Sequence, residues 1–197
     1  MIKFKSEIAR KIIHLSSLWI PIAYLYLSKS LMLSILITLT IIALLIEATR
    51  KPENKLKIFI DKAFSYMMRE EEKTGRALTG ATYMLLASCV VIAFFSQEAA
   101  IFSLTVLMIS DTCAALIGRK YGRIKILDKT LEGSLSFIFS AILIYLFYKV
   151  HYGFSLNFLP AFISIILASI VELFSKKLHL DDNFSIPLTI SLILLIL

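Results

Sequence analysis

Residues 110–134, SDTCAALIGRKYGRIKILDKTLEGS, decide how this chain folds. They join two long apolar runs. They begin inside the first of these with an aspartate, Asp111, and pass through a glycine-punctuated basic loop. They end in Lys129-Thr-Leu-Glu-Gly-Ser134, where the second run opens. Apolar runs of about 20 residues with few charges cross a bilayer as helices, because only a helix satisfies its own backbone there. The stretch therefore reads as two transmembrane helices and the short polar loop between them.

The same pattern extends outward. The chain has 197 residues, 58% of them hydrophobic, with a mean hydropathy of +0.84. Soluble domains are roughly 45–50% apolar. The expected fold is all-α: one polytopic membrane domain over residues 1–197, with seven transmembrane helices at about 12–28, 31–48, 77–95, 98–118, 131–149, 158–175 and 184–197. The basic N-terminus leads into a full-length apolar segment without a small-residue cleavage site, so the first span is expected to remain in the membrane. Residues 50–73 differ: Leu56, Phe59, Ile60, Ala63, Phe64 and Met67 recur at helical spacing between charges. Such a helix lies amphipathically on the membrane surface or packs as an ordinary surface helix on the bundle. Cys89 and Cys113 fall within apolar runs and read as small packing residues.

Charge sets the topology. Every lysine and arginine except Lys29 and Lys149 falls at the N-terminus, in 50–76, in the loop after the fourth span or in the loop after the sixth. The positive-inside rule then puts the N-terminus and the 119–130 loop in the cytoplasm and the C-terminus outside, in the inner membrane for a bacterial cell. The net charge of +7 reports this orientation and contact with anionic phospholipids; it does not call for nucleic acid.

Ionisable residues within the hydrocarbon are costly and point to function by default. Asp111 lies eight residues before Arg119, roughly 12 Å deeper along the helix. The neighbouring glycines and alanines form a small-residue stripe that helix packing explains, but packing leaves Asp111 unexplained. Thr130 suits an N-cap, and the helix start behind it, with Gly133 and Ser134, offers free N–H groups and a positive dipole end suited to phosphate. Lys129 adds a full charge. Glu132 in the first turn either favours the dipole or joins Asp111 on a divalent cation. Arg10, Lys11 and His14 share one side of the first helix with Glu7. Lys11 reads as a snorkelling helix-end lysine, while Arg10 and His14 suit a site facing the bundle. Asp181, Asp182 and Asn183 precede the last span, with Glu172 a little upstream; such acids cap helices or supply the hard oxygens that magnesium prefers. Arg76 and Thr79 open the third span in the same manner, and Glu47 ends the second near that surface. No HExxH, His/Cys metal spacing, Walker A loop, protein-kinase glycine loop or internal repeat competes.

These blocks resemble a known family. Glu7-x-x-Arg-Lys-x-x-His14, Ile46-Glu-x-x-Arg50, Thr79-Gly-Ala-Thr-Tyr83, Asp111-x-x-Ala-Ala-x-x-Gly-Arg-x-x-Gly122, Lys129-Thr-x-Glu-Gly-Ser134 and Asp181-Asp-Asn-x-x-x-Pro187 are similar to those of the CTP-dependent lipid kinases of dolichol, phytol, farnesol and diacylglycerol. The resemblance spans nearly the whole chain. It implies transfer of the γ-phosphoryl of CTP to a lipid alcohol at the cytoplasmic leaflet, with magnesium or another divalent cation. The catalytic residues would be Asp111, Lys129 and Glu132. Nucleotide would be held by Arg119, Gly122, Arg123, Thr130, Gly133, Ser134, Arg10, His14, Arg76, Thr79 and Asn183. The metal would lie on Asp111, Glu132, Asp181 and Asp182, with Asp111 as the base for the lipid hydroxyl. The central block also resembles that of the cytidylyltransferases that make CDP-diacylglycerol, whose longer acidic ending this chain lacks. A transporter or lipid-binding scaffold would instead place polar groups at the midplane or on both sides.

Overall fold

The computed structural model describes residues 4–49, 78–175, 177 and 180–197. The run expected as one first span is divided into α1 (Phe4–Ser16) and α2 (Trp19–Tyr24). Pro21 is the physical reason: it has no N–H to give the Ser17 carbonyl, so a regular helix cannot continue through that turn. The backbone tightens instead, with Ser17 N–H donating to His14, Leu18 to Leu15 and Ile20 to Ser17. This leaves α1 as a separate, charge-bearing helix.

There follow α3 (Lys29–Thr49), α4 (Gly80–Phe94) and α5 (Gln97–Tyr121), then a hairpin of β1 (Lys125–Ile126) and β2 (Lys129–Thr130). The chain closes with α6 (Leu131–His151), α7 (Phe158–Phe174) and α8 (Asp182–Ile196). The all-α expectation holds apart from that hairpin. Helices α3, α5 and α6 are long and apolar enough to cross a membrane; α4, α7 and α8 are apolar but shorter. A helix of 15 residues, as in α4 and α8, reaches about 22 Å against a hydrocarbon core of about 30 Å. Among the described residues, then, three of the seven expected spans have full length. The amphipathic segment expected at 50–73, with Arg76 beyond it, lies outside them.

Helix α5 is the centre. Of its most apolar stretch 72% is buried, against 17% for α3. The hydroxyls of α5 bond back to its own turns, Thr105 to the Ile101 carbonyl at 2.8 Å and Thr112 to Met108 at 2.7 Å. Polar groups satisfied in this way can be packed on every side. Helix α3 satisfies Ser34, Thr38 and Thr40 in the same way but packs chiefly on α4, which leaves most of its surface exposed. Helices α6, α8, α2 and α1 pack on α5, while α3 packs on α4, and α8 on α7 and α4. Phe102, Leu104, Leu107 and Met108 meet Phe137, Ile165 and Ile190 in the core.

The hairpin pairs Lys125 with Thr130 and Ile126 with Lys129, antiparallel. Its turn is Leu127–Asp128, and Leu127 takes a positive φ of 57°. A left-handed first turn residue matches the twist of a tight hairpin but costs a leucine about 1–2 kcal/mol. At the other end of the bundle Tyr148 stacks on Phe154 at 4.8 Å, with Tyr26 and Phe94 exposed nearby in sequence to helix ends, as in an interfacial aromatic belt.

Candidate functional site

Three helix N-termini meet around one cavity of about 600 Å³. Each is built by its own cap. Thr79 Oγ1 accepts from Thr82 N–H at the start of α4, Thr130 Oγ1 from Gly133 N–H at 3.3 Å at the start of α6, and Asp181 Oδ1 from Asn183 N–H at 3.0 Å at the start of α8. Glu47 at the end of α3 secures the first of these, accepting from Thr79 N–H at 2.8 Å and the Thr82 hydroxyl at 3.1 Å. Each helix start carries roughly half a positive charge, so the cavity mouth is cationic before any side chain is added.

Glycine lets these elements approach. A Cβ on Gly118 would stand 2.8 Å from Thr130 Oγ1, and one on Gly133 would stand 2.9 Å from the Ala114 carbonyl. A Cβ on Gly80 would reach Asn183 Nδ2 at 2.9 Å, so α4 and α8 touch at their first residues. The packing role read for the glycine stripe is thus what the backbone uses.

Two lysine–carboxylate assemblies line the cavity. On its floor Lys11 Nζ is ion-paired with Asp111, and both side chains are nearly sealed from solvent, at 7% exposure each. His14 Nε2 lies 3.8 Å from the same Asp111 oxygen and 3.2 Å from the Leu107 carbonyl. At the mouth, Lys129 Nζ is held between Glu172 and Asp182, the latter at 3.2 Å. Burial alone would lower the Lys129 pKa, but Asp182, Glu172 and Asp111 together outweigh it and hold the ammonium above its ordinary value. Asp182 Oδ1 is buried without a hydrogen-bond partner among the described residues.

Most of the expected residues converge here. Asp111, Lys129, Arg119, Thr130, Gly133, Ser134, Arg10, His14, Thr79, Asp182 and Asn183 all line the cavity. Gly122, Arg123 and Glu132 do not; they border a separate surface hollow with Lys120 and Tyr121. The Glu132 carboxylate accepts from Arg123 N–H at 2.9 Å and Ile124 N–H at 3.2 Å. It fastens the loop into the hairpin and does not line the cavity that holds Asp111. Asp181 acts as the α8 cap and also accepts from Asn183 Nδ2 at 2.8 Å. Among the described residues no three His, Cys, Asp or Glu side chains gather as a metal cage, so Asp111, Glu132, Asp181 and Asp182 do not form one. Arg76 lies outside the described residues.

Three cavity residues were not counted among the expected site. Lys11, read as snorkelling, is turned inward because α1 packs on α5 and brings it to Asp111. Glu47 and Glu172 were noticed only as acids near span ends. The signal for Glu172 was its place inside an apolar run, the same signal that singled out Asp111.

No family model and no solved structure matches the chain. Over 187 residues it is 34% identical to an uncharacterized protein of Rickettsia prowazekii, spanning 94% of this chain and 92% of that one. This chain belongs to that protein's family. At greater distance it is similar to CTP-dependent diacylglycerol kinase 1 of Saccharomyces cerevisiae, 29% identical over 212 residues, spanning 95% of this chain and 72% of the yeast protein. It is also 26% identical over 156 residues to a probable chloroplastic phytol kinase of Zea mays, spanning 72% of this chain and 51% of the plant protein. Its distant relatives are lipid kinases.

Chemically, the cavity offers three helix N-termini with Arg119 and Lys129 beside them at its mouth, and a desolvated acid at its floor. It also offers two carboxylates now satisfied by a lysine. Phosphoryl transfer needs these parts, since positioning and charge neutralisation supply most of its catalysis.

Proposed function

We propose that this protein is a membrane lipid kinase that transfers the γ-phosphoryl group of CTP to the hydroxyl of a lipid alcohol at the cytoplasmic leaflet. The observation that carries this reading is the meeting of three helix N-termini above a buried aspartate, in a chain whose distant relatives are lipid kinases. CTP as donor rests on the yeast relative.

Arg119, Lys129 and the Thr130 helix start hold the triphosphate, with Ser134, Thr79 and Asn183 supplying further donors and Arg10 approaching from α1. Asp111 takes the proton of the lipid hydroxyl as its oxygen bonds to the γ-phosphorus; the bond to the β-phosphate oxygen breaks and CDP leaves. Lys11 and His14 keep Asp111 oriented and ionised in a dry setting. Glu132, through the Arg123 and Ile124 amides, holds the hairpin so that Lys129 faces the mouth.

A divalent cation fits beside Lys129. Magnesium is commonly bound by one or two carboxylates plus substrate phosphates. Glu172 and Asp182 already hold one cation, the Lys129 ammonium, and Asp182 Oδ1 has an unused lone pair. These two residues would hold the metal, which when bound neutralises charge on the phosphates. The basic loop after α5 faces anionic phospholipids of the cytoplasmic leaflet.

The deciding experiment gives the purified protein a lipid alcohol or phosphatidate, with CTP or ATP labelled at the γ- or the α-phosphate. Label passing from γ to the alcohol is expected, with CTP preferred. Label passing from α into phosphatidate would make it a cytidylyltransferase. No transfer from either would leave a transporter or scaffold.

A further inference from the structure

We infer that the cavity has a side portal between α1 and α3, through which the acceptor's hydrocarbon chain lies out into the bilayer while its hydroxyl reaches Asp111; this rests on the lipid-kinase reading. Ile13 of α1 and Ile46 of α3 both line the cavity and are 42% and 40% exposed, which puts both at its open edge. Among the described residues the two helices lean on different partners, α1 on α5 and α3 on α4, which leaves that edge open.

The portal is apolar and lies at hydrocarbon depth. Ala43 is one turn deeper along α3 than Glu47, and Met84 one turn deeper along α4 than Gly80, each about 6 Å. Both line the cavity beyond the polar ring of the mouth. Asp111 is itself roughly 12 Å below Arg119 along α5. A water-soluble acceptor would come through the cationic mouth and use no such window. A lipid alcohol can slide sideways from the leaflet, keep its chain in hydrocarbon and bring only its hydroxyl into the polar cavity. The apolar rim satisfies that chain as lipid does, whereas a chain drawn wholly into the cavity would have to displace the polar lining.

Ile13→Trp and Ile46→Trp would narrow the portal from either side. In nanodiscs each is expected to raise the KM for a long-chain alcohol at least about 10-fold. The KM for CTP and the turnover of a short, water-soluble alcohol should stay as in the wild type. Ile41→Trp, exposed on α3 but outside the cavity lining, should change neither. Unchanged long-chain kinetics in both portal variants would overturn the proposal. Binding is read separately, without nucleotide, by photocrosslinking a diazirine-bearing long-chain alcohol to the wild-type protein. Adducts on α1 near residue 13 and on α3 near 43–46 are expected, and adducts confined to other helices would overturn the portal. A wild type that forms these adducts yet phosphorylates no alcohol would leave the portal standing and overturn the kinase reading instead.

Discussion

Asp111 and Lys11 form a buried ion pair, and such pairs respond asymmetrically to mutation. Removing one partner strands a buried charge, at a cost of about 3–5 kcal/mol, whereas removing both is often nearly neutral. Asp111→Asn is therefore expected to lower the melting temperature and to reduce phosphoryl transfer by about 10²–10⁴-fold, the range of a general base. Lys11→Met with Asp111→Leu should regain stability without regaining transfer. Thermal unfolding measured beside turnover separates the two effects, and full activity in Asp111→Asn would remove Asp111 from the chemistry. Lys129 gives a pH signature. Its folded pKa is raised above the unfolded value of about 10.4, so its stabilisation is complete below that pH and is lost as pH rises through the folded value. The difference in melting temperature between the wild type and Lys129→Met should shrink as pH rises above about 10.

The elements around the cavity are held at close range by glycine and by one carboxylate. A Cβ on Gly122 would stand 2.5 Å from Thr130 Cγ2 and closer still to the Gly118 carbonyl. Gly122→Ala and Gly133→Ala should each destabilise the α5–hairpin–α6 unit by about 1–3 kcal/mol, the cost of overpacking. Denaturant or thermal unfolding would measure this, and a neutral Gly122→Ala would contradict the packing role. Glu132 separates two accounts of the hairpin. As its fastener, Glu132→Gln retains an acceptor and should cost less than about 10-fold in turnover, with the magnesium dependence unshifted. A metal ligand would shift that dependence. Asp182→Asn should shift it, and titrating activity against magnesium for both variants distinguishes them.

For the whole molecule, charge placement and helix length answer different questions. From the placement of the basic residues we propose that the N-terminus and the cavity mouth face the cytoplasm and the C-terminus the outside. Reporter fusions at either end should read opposite sides, and fusions reading the same side would refute that arrangement. Helix length was less legible. The divided α1–α2 run reads as continuous because hydropathy averages over the Pro21 break, and α4 reads as longer because its start merges with a polar cap, while α8, expected at 184–197, spans Asp182–Ile196. Those starts are short of the full bilayer because they line a polar cavity, where backbone N–H groups need no lipid-crossing helix above them.

The sequence by itself determined that this chain is helical, that it belongs in a membrane and that Asp111, Lys129 and the capped helix starts are its candidate site. Hydrocarbon imposes those constraints locally: run length, charge and the cost of a lone acid are visible in any short window. Only the tertiary structure decided how each charge is used. Lys11 meets Asp111 across 100 residues and Lys129 meets Glu172 across 43, while Glu132 turns back to amides eight and nine residues away. A carboxylate's role depends on which cation or N–H group reaches it first, and helix packing fixes that choice.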